Sequence, residues 1–220
     1  MDENYSRGLE WYRQKMPYTF SSDVTLEKSP AYFIVDGVPE RVYAMNASVR
    51  LILIVRNPVT RTVSDYAQVH ANRLARNKPH DRFEDYALNA KTGSVNSRYK
   101  AVKTSTYANH LERWLNVFDR QQLHVVDGDA MIVNPLPELR KVENFLGVGN
   151  RLSDTNIFWN DTRGFYCMRD VENGLEKCLS GNKGRKHPEV DPAVRDKLKE
   201  YFRPFNEKLF SMIGQVFDWG

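Results

Sequence analysis

The chain has 220 residues, 41% hydrophobic and 27% charged, an ordinary globular composition with enough apolar mass for a sizeable core; collagen-like, coiled-coil and disordered classes are excluded. Lys and Arg exceed Asp and Glu by 32 to 28. That excess permits a polyanionic partner where cations gather in a cleft, without requiring one.

In chain order, residues 2–16 carry Tyr5, Leu9, Tyr12 and Met16 at helical spacing, which predicts a core-facing helix stopped by Pro17. Residues 24–33 predict a short strand before Pro30, with Glu27, Lys28 and Ser29 at its carboxyl end, the edge where open α/β sheets hold ligands. Lys28 reads equally as a surface lysine or a cleft cation. Residues 38–45 read as a helix returning to Leu51-Ile-Leu-Ile-Val55, an unbroken apolar run that predicts a strand buried on both faces. Arg56 follows at the carboxyl end of that strand. Asn57-Pro58 then supplies a cap and a first-turn proline for a helix carrying Arg61, Ser64 and Asp65. Residues 71–100 are polar and predict a loop and short-helix excursion. Tyr107, Leu111, Trp114, Leu115 and Phe118 mark an amphipathic helix before a strand at 123–126. Asn134-Pro135 restarts a helix with Leu139, Val142 and Leu146 inward and Gly147 as its stop. Asp191-Pro192 caps a last helix with Val194, Leu198, Tyr201, Phe202, Phe205 and Leu209 as its buried stripe and a kink at Pro204. Strands and helices alternate, so the expected fold is one α/β domain spanning 1–220: three layers around a mostly parallel sheet.

The unit from Arg56 to Ser64 offers an anion, a phosphate above all, a guanidinium fork, a hydroxyl and a helix N-terminus. The same spacing also fits a salt-bridged strand end. A second basic cluster, Lys183-Gly-Arg185, places two cations around a glycine whose backbone amides can approach a phosphate closely; a solvated charge run is its other reading. Other chemistries lack support. The five histidines show no zinc-ligand spacing, so no metal is expected. There is no Gly-x-Ser-x-Gly elbow, no Gly-rich P-loop, no dinucleotide-binding glycine fingerprint and no nucleic-acid-binding module.

No stretch of roughly 18 apolar residues and no secretory leader occurs, so nothing here is expected to span a membrane. Cys167 and Cys178, the only cysteines, bracket a short segment that suits a disulfide loop, although two free thiols fit as well. Asn46-Ala-Ser48 and Asn160-Asp-Thr162 are glycosylation sequons. Together these point to a secretory lumen.

The Arg56–Ser64 segment resembles the 3′-phosphate-binding motif of the Golgi sulfotransferases. With Glu27-Lys-Ser-Pro-Ala-Tyr-Phe33, Ser64-Asp-Tyr-Ala-Gln68, Val126-Asp-Gly-Asp129, Gly164-Phe-Tyr-Cys167, Lys183-Gly-Arg185 and Phe217-Asp-Trp219, essentially the whole chain resembles the heparan sulfate glucosamine 3-O-sulfotransferases. The resemblance implies transfer of a sulfuryl group from 3′-phosphoadenosine 5′-phosphosulfate to the 3-hydroxyl of glucosamine units in heparan sulfate, without a metal. It implies that Arg56 and Ser64 bind the donor's 3′-phosphate, that Asn182, Lys183, Gly184, Arg185 and Lys186 close over the nucleotide, and that Phe165 and Tyr166 lie near the adenine. Lys28, Ser29, Pro30, Ala31, Gln68, Tyr99 and Lys100 would contact the sugar chain, Lys28 also neutralising charge during transfer. It further implies a monomeric Golgi-lumen glycoprotein whose parent is a type II membrane protein.

One departure from the family pattern stands out. The family's first strand, its 5′-phosphosulfate loop and its Glu-x-His-Phe-Phe-Asp segment, whose Glu is the general base, would precede Met1-Asp-Glu-Asn-Tyr5. The sequence therefore reads as an N-terminally truncated P-loop-NTPase-like sulfotransferase fold, with unpaired sheet edges, poor stability and doubtful activity expected. A non-catalytic heparan-sulfate-binding protein that keeps Lys28, Lys100, Lys183 and Arg185 for the polysaccharide is the alternative, and a phosphate-binding α/β enzyme such as a nucleotide kinase is a third reading.

Overall fold

The computed structural model describes residues 4–180 and 187–219. The chain divides into two compact units, Met1–Val49 and Arg50–Gly220.

The first unit holds a 3-10 turn at Tyr5–Arg7, α1 (Gly8–Arg13), a second 3-10 turn at Pro30–Ile34 and α2 (Val38–Met45). Helix α2 has the expected bounds. Gly37 precedes it at φ +74°, which a side chain rarely adopts, and Pro39 sits in its first turn, where a missing N–H costs nothing. Two expectations fail here. Helix α1 stops at Arg13, with Tyr5 and Leu9 about 60% exposed, so it is not core-facing. Residues 24–29 form no strand. Pro30 starts a 3-10 turn instead, and Glu27 gathers the side chains before it, accepting from the Tyr12 hydroxyl and from Ser29 Oγ at 2.6 Å.

The second unit is built on β1 (Leu51–Val55) and β2 (Leu123–Asp127), which pair in parallel with Leu51 opposite Leu123 and Val55 opposite Asp127. Between them run α3 (Pro58–Leu74), α4 (Phe83–Ala87), α5 (Lys100–Ser105) and α6 (Tyr107–Leu115). After β2 come α7 (Gly128–Val133) and α8 (Pro135–Leu146). The parallel sheet has two strands among the described residues, fewer than the expected central sheet. Strand β1 is also less buried than predicted. Only Val55 is fully covered and Ile54 is 56% exposed, whereas Leu123, Val125 and Val126 of β2 are buried.

The core of this unit lies where α3 and α5 meet α9 (Pro192–Ile213): Val59, Val63, Phe83, Val102, Val194, Leu198 and Phe202 pack together. Each large apolar side chain removed from water there contributes on the order of 1.5–3 kcal/mol. Helix α9 runs without a break through Pro204. In α8 the expected inward residues Leu139, Val142 and Leu146 are only half-buried. Glu138 and Glu143 go in instead, because their carboxylates accept backbone N–H groups: Glu138 from Asp127, and Glu143 from Arg151 and Leu152.

The C-terminal third is more regular than its sequence suggests. Strands β3 (Ile157–Asn160), β4 (Phe165–Asp170) and β5 (Leu175–Lys177) form an antiparallel sheet, and the Cys167–Cys178 disulfide ties β4 to the end of β5. Closing so short a loop contributes about 3 kcal/mol in the chain-entropy picture. Asn46 is exposed, while Asn160 is half-buried with its amide turned to the Cys178 sulfur. No described helix is long and apolar enough to cross a membrane.

Candidate anion site at the ends of the parallel strands

The register of the parallel pair generates the site. With Val55 opposite Asp127, the next residues of each chain, Arg56 and Gly128-Asp129, come side by side. Gly128 is required by that approach: a Cβ there would lie 2.7 Å from Arg56 Cγ and 2.8 Å from the Val55 carbonyl oxygen. Asp129 then clamps the turn. Its Oδ1 accepts from Arg56 Nε at 2.8 Å and its Oδ2 from the Asn57 backbone N–H at 2.6 Å. The Tyr107 hydroxyl donates to the Arg56 carbonyl at 3.0 Å, and burial pushes that phenol up to about 12, so it stays a donor.

The clamp leaves the two Nη nitrogens of Arg56 without a hydrogen bond among the described residues, on a side chain 29% exposed. The guanidinium is thus fixed at Nε with its outer edge open. Arg61, one turn into α3, is held differently: Nη1 donates to the Ala101 carbonyl and Ser105 Oγ, and Nη2 to Asp65 at 3.1 Å. It ties α3 to α5 and is not a second open fork. The half-buried Ser64 hydroxyl has no hydrogen-bond partner among the described residues.

The helix N-terminus predicted to face the anion is already satisfied. Pro58 has no N–H, Asn57 Oδ1 accepts from Val59 and Thr60, and the Asn57 carbonyl accepts from Arg61. A good cap and an open anion site compete for the same amides, and here the cap takes them. What the strand ends leave open to an anion is therefore a side chain, the outer edge of Arg56, and not the helix amides.

The other predicted residues fall into several places. Tyr99 and Lys100 open α5 and, with Asp65 and His70, line a cavity of about 90 Å³ against α3. Burial pushes the Tyr99 phenol up to about 12. Gln68 lies outside that lining and donates to Asn72 on the same helix at 3.2 Å. Phe165 and Tyr166 sit on β4, where Tyr166 meets Trp159 edge-to-face with centroids 5.2 Å apart. Lys28 and Ala31 are exposed in the first unit, beside Ser29 and Pro30. Asn182, Lys183, Gly184, Arg185 and Lys186 lie outside the described residues. His187, next in the chain, is pushed down first by burial and then by the positive charges of Arg56 and Arg195, which puts it within electrostatic reach of Arg56. Sequence reasoning gave Gly128, Asp129 and Tyr107 no role in the site. For the first two the available signal was Asp127-Gly-Asp129 at the end of a strand parallel to β1.

An α/β frame with a clamped arginine at its strand ends agrees with the comparisons. A sulfotransferase domain model matches residues 1–212, and the chain belongs to the sulfotransferase family. It is 52% identical over 218 residues to heparan sulfate glucosamine 3-O-sulfotransferase 5 of Mus musculus and of Homo sapiens, an overlap of 99% of this chain and 63% of each relative. It is 39% identical over 220 residues to heparan sulfate glucosamine 3-O-sulfotransferase 6 of Homo sapiens. The family resemblance drawn from the motifs is thereby borne out, over a chain spanning 63% of the length of these relatives. Among solved structures, a sulfotransferase from Alicyclobacillus acidocaldarius superposes with a TM-score of 0.60 at 19% identity, covering 86% of this chain and 64% of that one, which speaks to the fold.

Proposed function

We propose that this chain carries the 3′-phosphate and acceptor parts of a heparan sulfate glucosamine 3-O-sulfotransferase that uses 3′-phosphoadenosine 5′-phosphosulfate. The observation that carries the reading is the clamped Arg56: Asp129 fixes Nε, and both Nη nitrogens remain for a phosphate. A bidentate guanidinium suits phosphate geometry, and Ser64 adds a hydroxyl. The basic segment Asn182 to Lys186 would close over the nucleotide, which fits His187 feeling the charge of Arg56. Phe165 and Tyr166 would face the adenine. No group of three or more His, Cys, Asp or Glu poised for a metal occurs among the described residues, and the reading calls for none.

In the transfer, the 3-hydroxyl oxygen of a glucosamine unit forms the new O–S bond while the bond from sulfur to the donor's phosphate oxygen breaks. 3′-Phosphoadenosine 5′-phosphate leaves with the electron pair, and the hydroxyl proton passes to a base. The family segment that holds this base does not occur in these 220 residues, so the role is assigned to none of them. Arg56 and Ser64 act by positioning, and Lys28 by neutralising charge. Lys28, Ser29, Pro30, Ala31, Gln68, Tyr99 and Lys100 would meet the sugar chain. The setting that fits is the Golgi lumen, with the domain acting as a monomer and its parent anchored in the membrane. A purely polysaccharide-binding protein is not favoured by any of the relatives described, and it gives the Arg56 clamp no task.

The discriminating ligand pair is 3′-phosphoadenosine 5′-phosphate and adenosine 5′-phosphate, which differ only in the 3′-phosphate. Calorimetric titration of the chain is expected to show the first binding about 10- to 150-fold tighter, the range of one charge-assisted recognition of 1.5–3 kcal/mol. Equal affinities would remove the 3′-phosphate from the Arg56 site.

A further inference from the structure

We propose that the cavity against α3 is a proton-sensitive subsite for one anionic group of the acceptor, a sulfate or a carboxylate, held by His70, Arg73, His80 and Lys100. The proposal rests on the acceptor reading above and adds three residues to it, His70, Arg73 and His80.

The cavity measures about 90 Å³. That space holds several waters and so admits a single sulfate or carboxylate group. Its cations come from three directions: His70 and Arg73 from the outer half of α3, His80 from the turn that follows, and Lys100 from the first position of α5. Arg73 is oriented by its Nε, which donates to the Pro79 carbonyl at 2.9 Å, and its outer nitrogens make no hydrogen bond among the described residues. The two imidazoles meet edge-to-face with centroids 3.9 Å apart. Behind them Tyr86 and Tyr99 stack at 5.6 Å and make an apolar wall.

With the imidazoles neutral the surrounding charges balance, Arg61, Arg73, Arg82 and Lys100 against Asp65, Asp81, Glu84 and Asp85, so protonation of a histidine is what makes the cavity positive. Asp65, the one carboxylate on the lining, is already held by Arg61 at 3.1 Å. Asp81, Glu84 and Asp85 lie near the Tyr66 hydroxyl; Glu84 pairs with Arg82, and Asp85 accepts the Arg82 backbone N–H. Burial and then the neighbouring His80 push the His70 imidazole down, so it is neutral at neutral pH. An anion entering the cavity favours the charged ring and so draws in a proton. Affinity for the anion therefore rises as pH falls, and the gain is complete only below the ordinary histidine value of about 6.5, because the free ring is held down.

The test titrates the chain with a highly sulfated heparan-type hexasaccharide at pH 7.5 and pH 5.5, alongside His70→Gln/His80→Gln. Binding of 3′-phosphoadenosine 5′-phosphate by the double variant checks that it is folded. The parent chain is expected to bind the hexasaccharide roughly tenfold tighter at the lower pH, and the double variant to lose most of that gain. A pH response that the double variant keeps, or a parent chain with no response, overturns the subsite and leaves the sulfotransferase reading standing. No hexasaccharide binding at either pH, by a chain that binds the nucleotide, overturns the subsite together with the acceptor reading.

Discussion

The Gly128→Ala variant is expected to bind 3′-phosphoadenosine 5′-phosphate about 10- to 150-fold more weakly than the parent chain, and to melt roughly 2–12 °C lower. The added methyl would meet three groups at once: Arg56 Cγ at 2.7 Å, the Val55 carbonyl oxygen at 2.8 Å and Ile54 Cγ2 at 3.0 Å. The arginine side chain can swing away. The Val55 carbonyl cannot, because β1 is held in register with β2 through that very residue. Relief therefore spreads the strand ends, and overpacking of this kind costs about 1–3 kcal/mol. Spreading also breaks the Asp129 clamp and leaves Arg56 with many orientations in place of one. Calorimetry and a thermal melt read the two effects separately. Parent-like affinity in the variant would mean that close approach of the strand ends is not what presents the guanidinium.

The Asp129→Ala variant tests presentation against charge. In a purely Coulombic view, removing a carboxylate 2.8 Å from Arg56 raises the local positive potential and tightens phosphate binding. Both groups are about one-third exposed, so solvent screens that gain to roughly 1 kcal/mol or less. Against it stand two lost hydrogen bonds, to Arg56 Nε and to the Asn57 N–H, and the freedom the arginine regains. Charge-assisted bonds of this kind contribute about 1.5–3 kcal/mol, so positioning wins and affinity is expected to fall by about tenfold or more. Asp129→Asn keeps one carbonyl acceptor and should fall between the two. Tighter nucleotide binding by Asp129→Ala would show that charge, not the clamp, governs the site.

The parts of this molecule legible in its sequence are those set by local rules. An apolar run ended by Arg56, a cap and a first-turn proline fixed β1 and the start of α3, and the stripe from Val194 to Leu209 fixed α9. What was not legible depends on partners distant in sequence. The exposure of Ile54 reflects which face of β1 the rest of the described chain covers, which five apolar residues in a row cannot announce. Glu138 and Glu143 lie outside the stripe expected to face inward, and only the fold supplies the backbone N–H groups that let them go in. Strands β3 to β5 are short, and their apolar residues run consecutively at Ile157–Trp159 and Phe165–Met168 instead of alternating, so periodicity gave little sign of them beyond the two cysteines now bridged there. The site shows the same division. Arg56 and Ser64 lie within one motif, whereas Asp129 is 73 residues from Arg56 and joins it through strand register. The Asn57 cap, correctly anticipated, also withdrew the helix amides from the anion, a competition that naming the cap alone does not reveal.

The most direct test of the central claim is calorimetric titration of the chain and of its Arg56→Ala variant with 3′-phosphoadenosine 5′-phosphate, each first shown to melt cooperatively. The clamped-arginine site predicts saturable one-to-one binding by the parent chain and a loss of at least about tenfold in the variant, since the Nη donors to the phosphate disappear. Binding of equal strength by a folded Arg56→Ala variant would contradict the account.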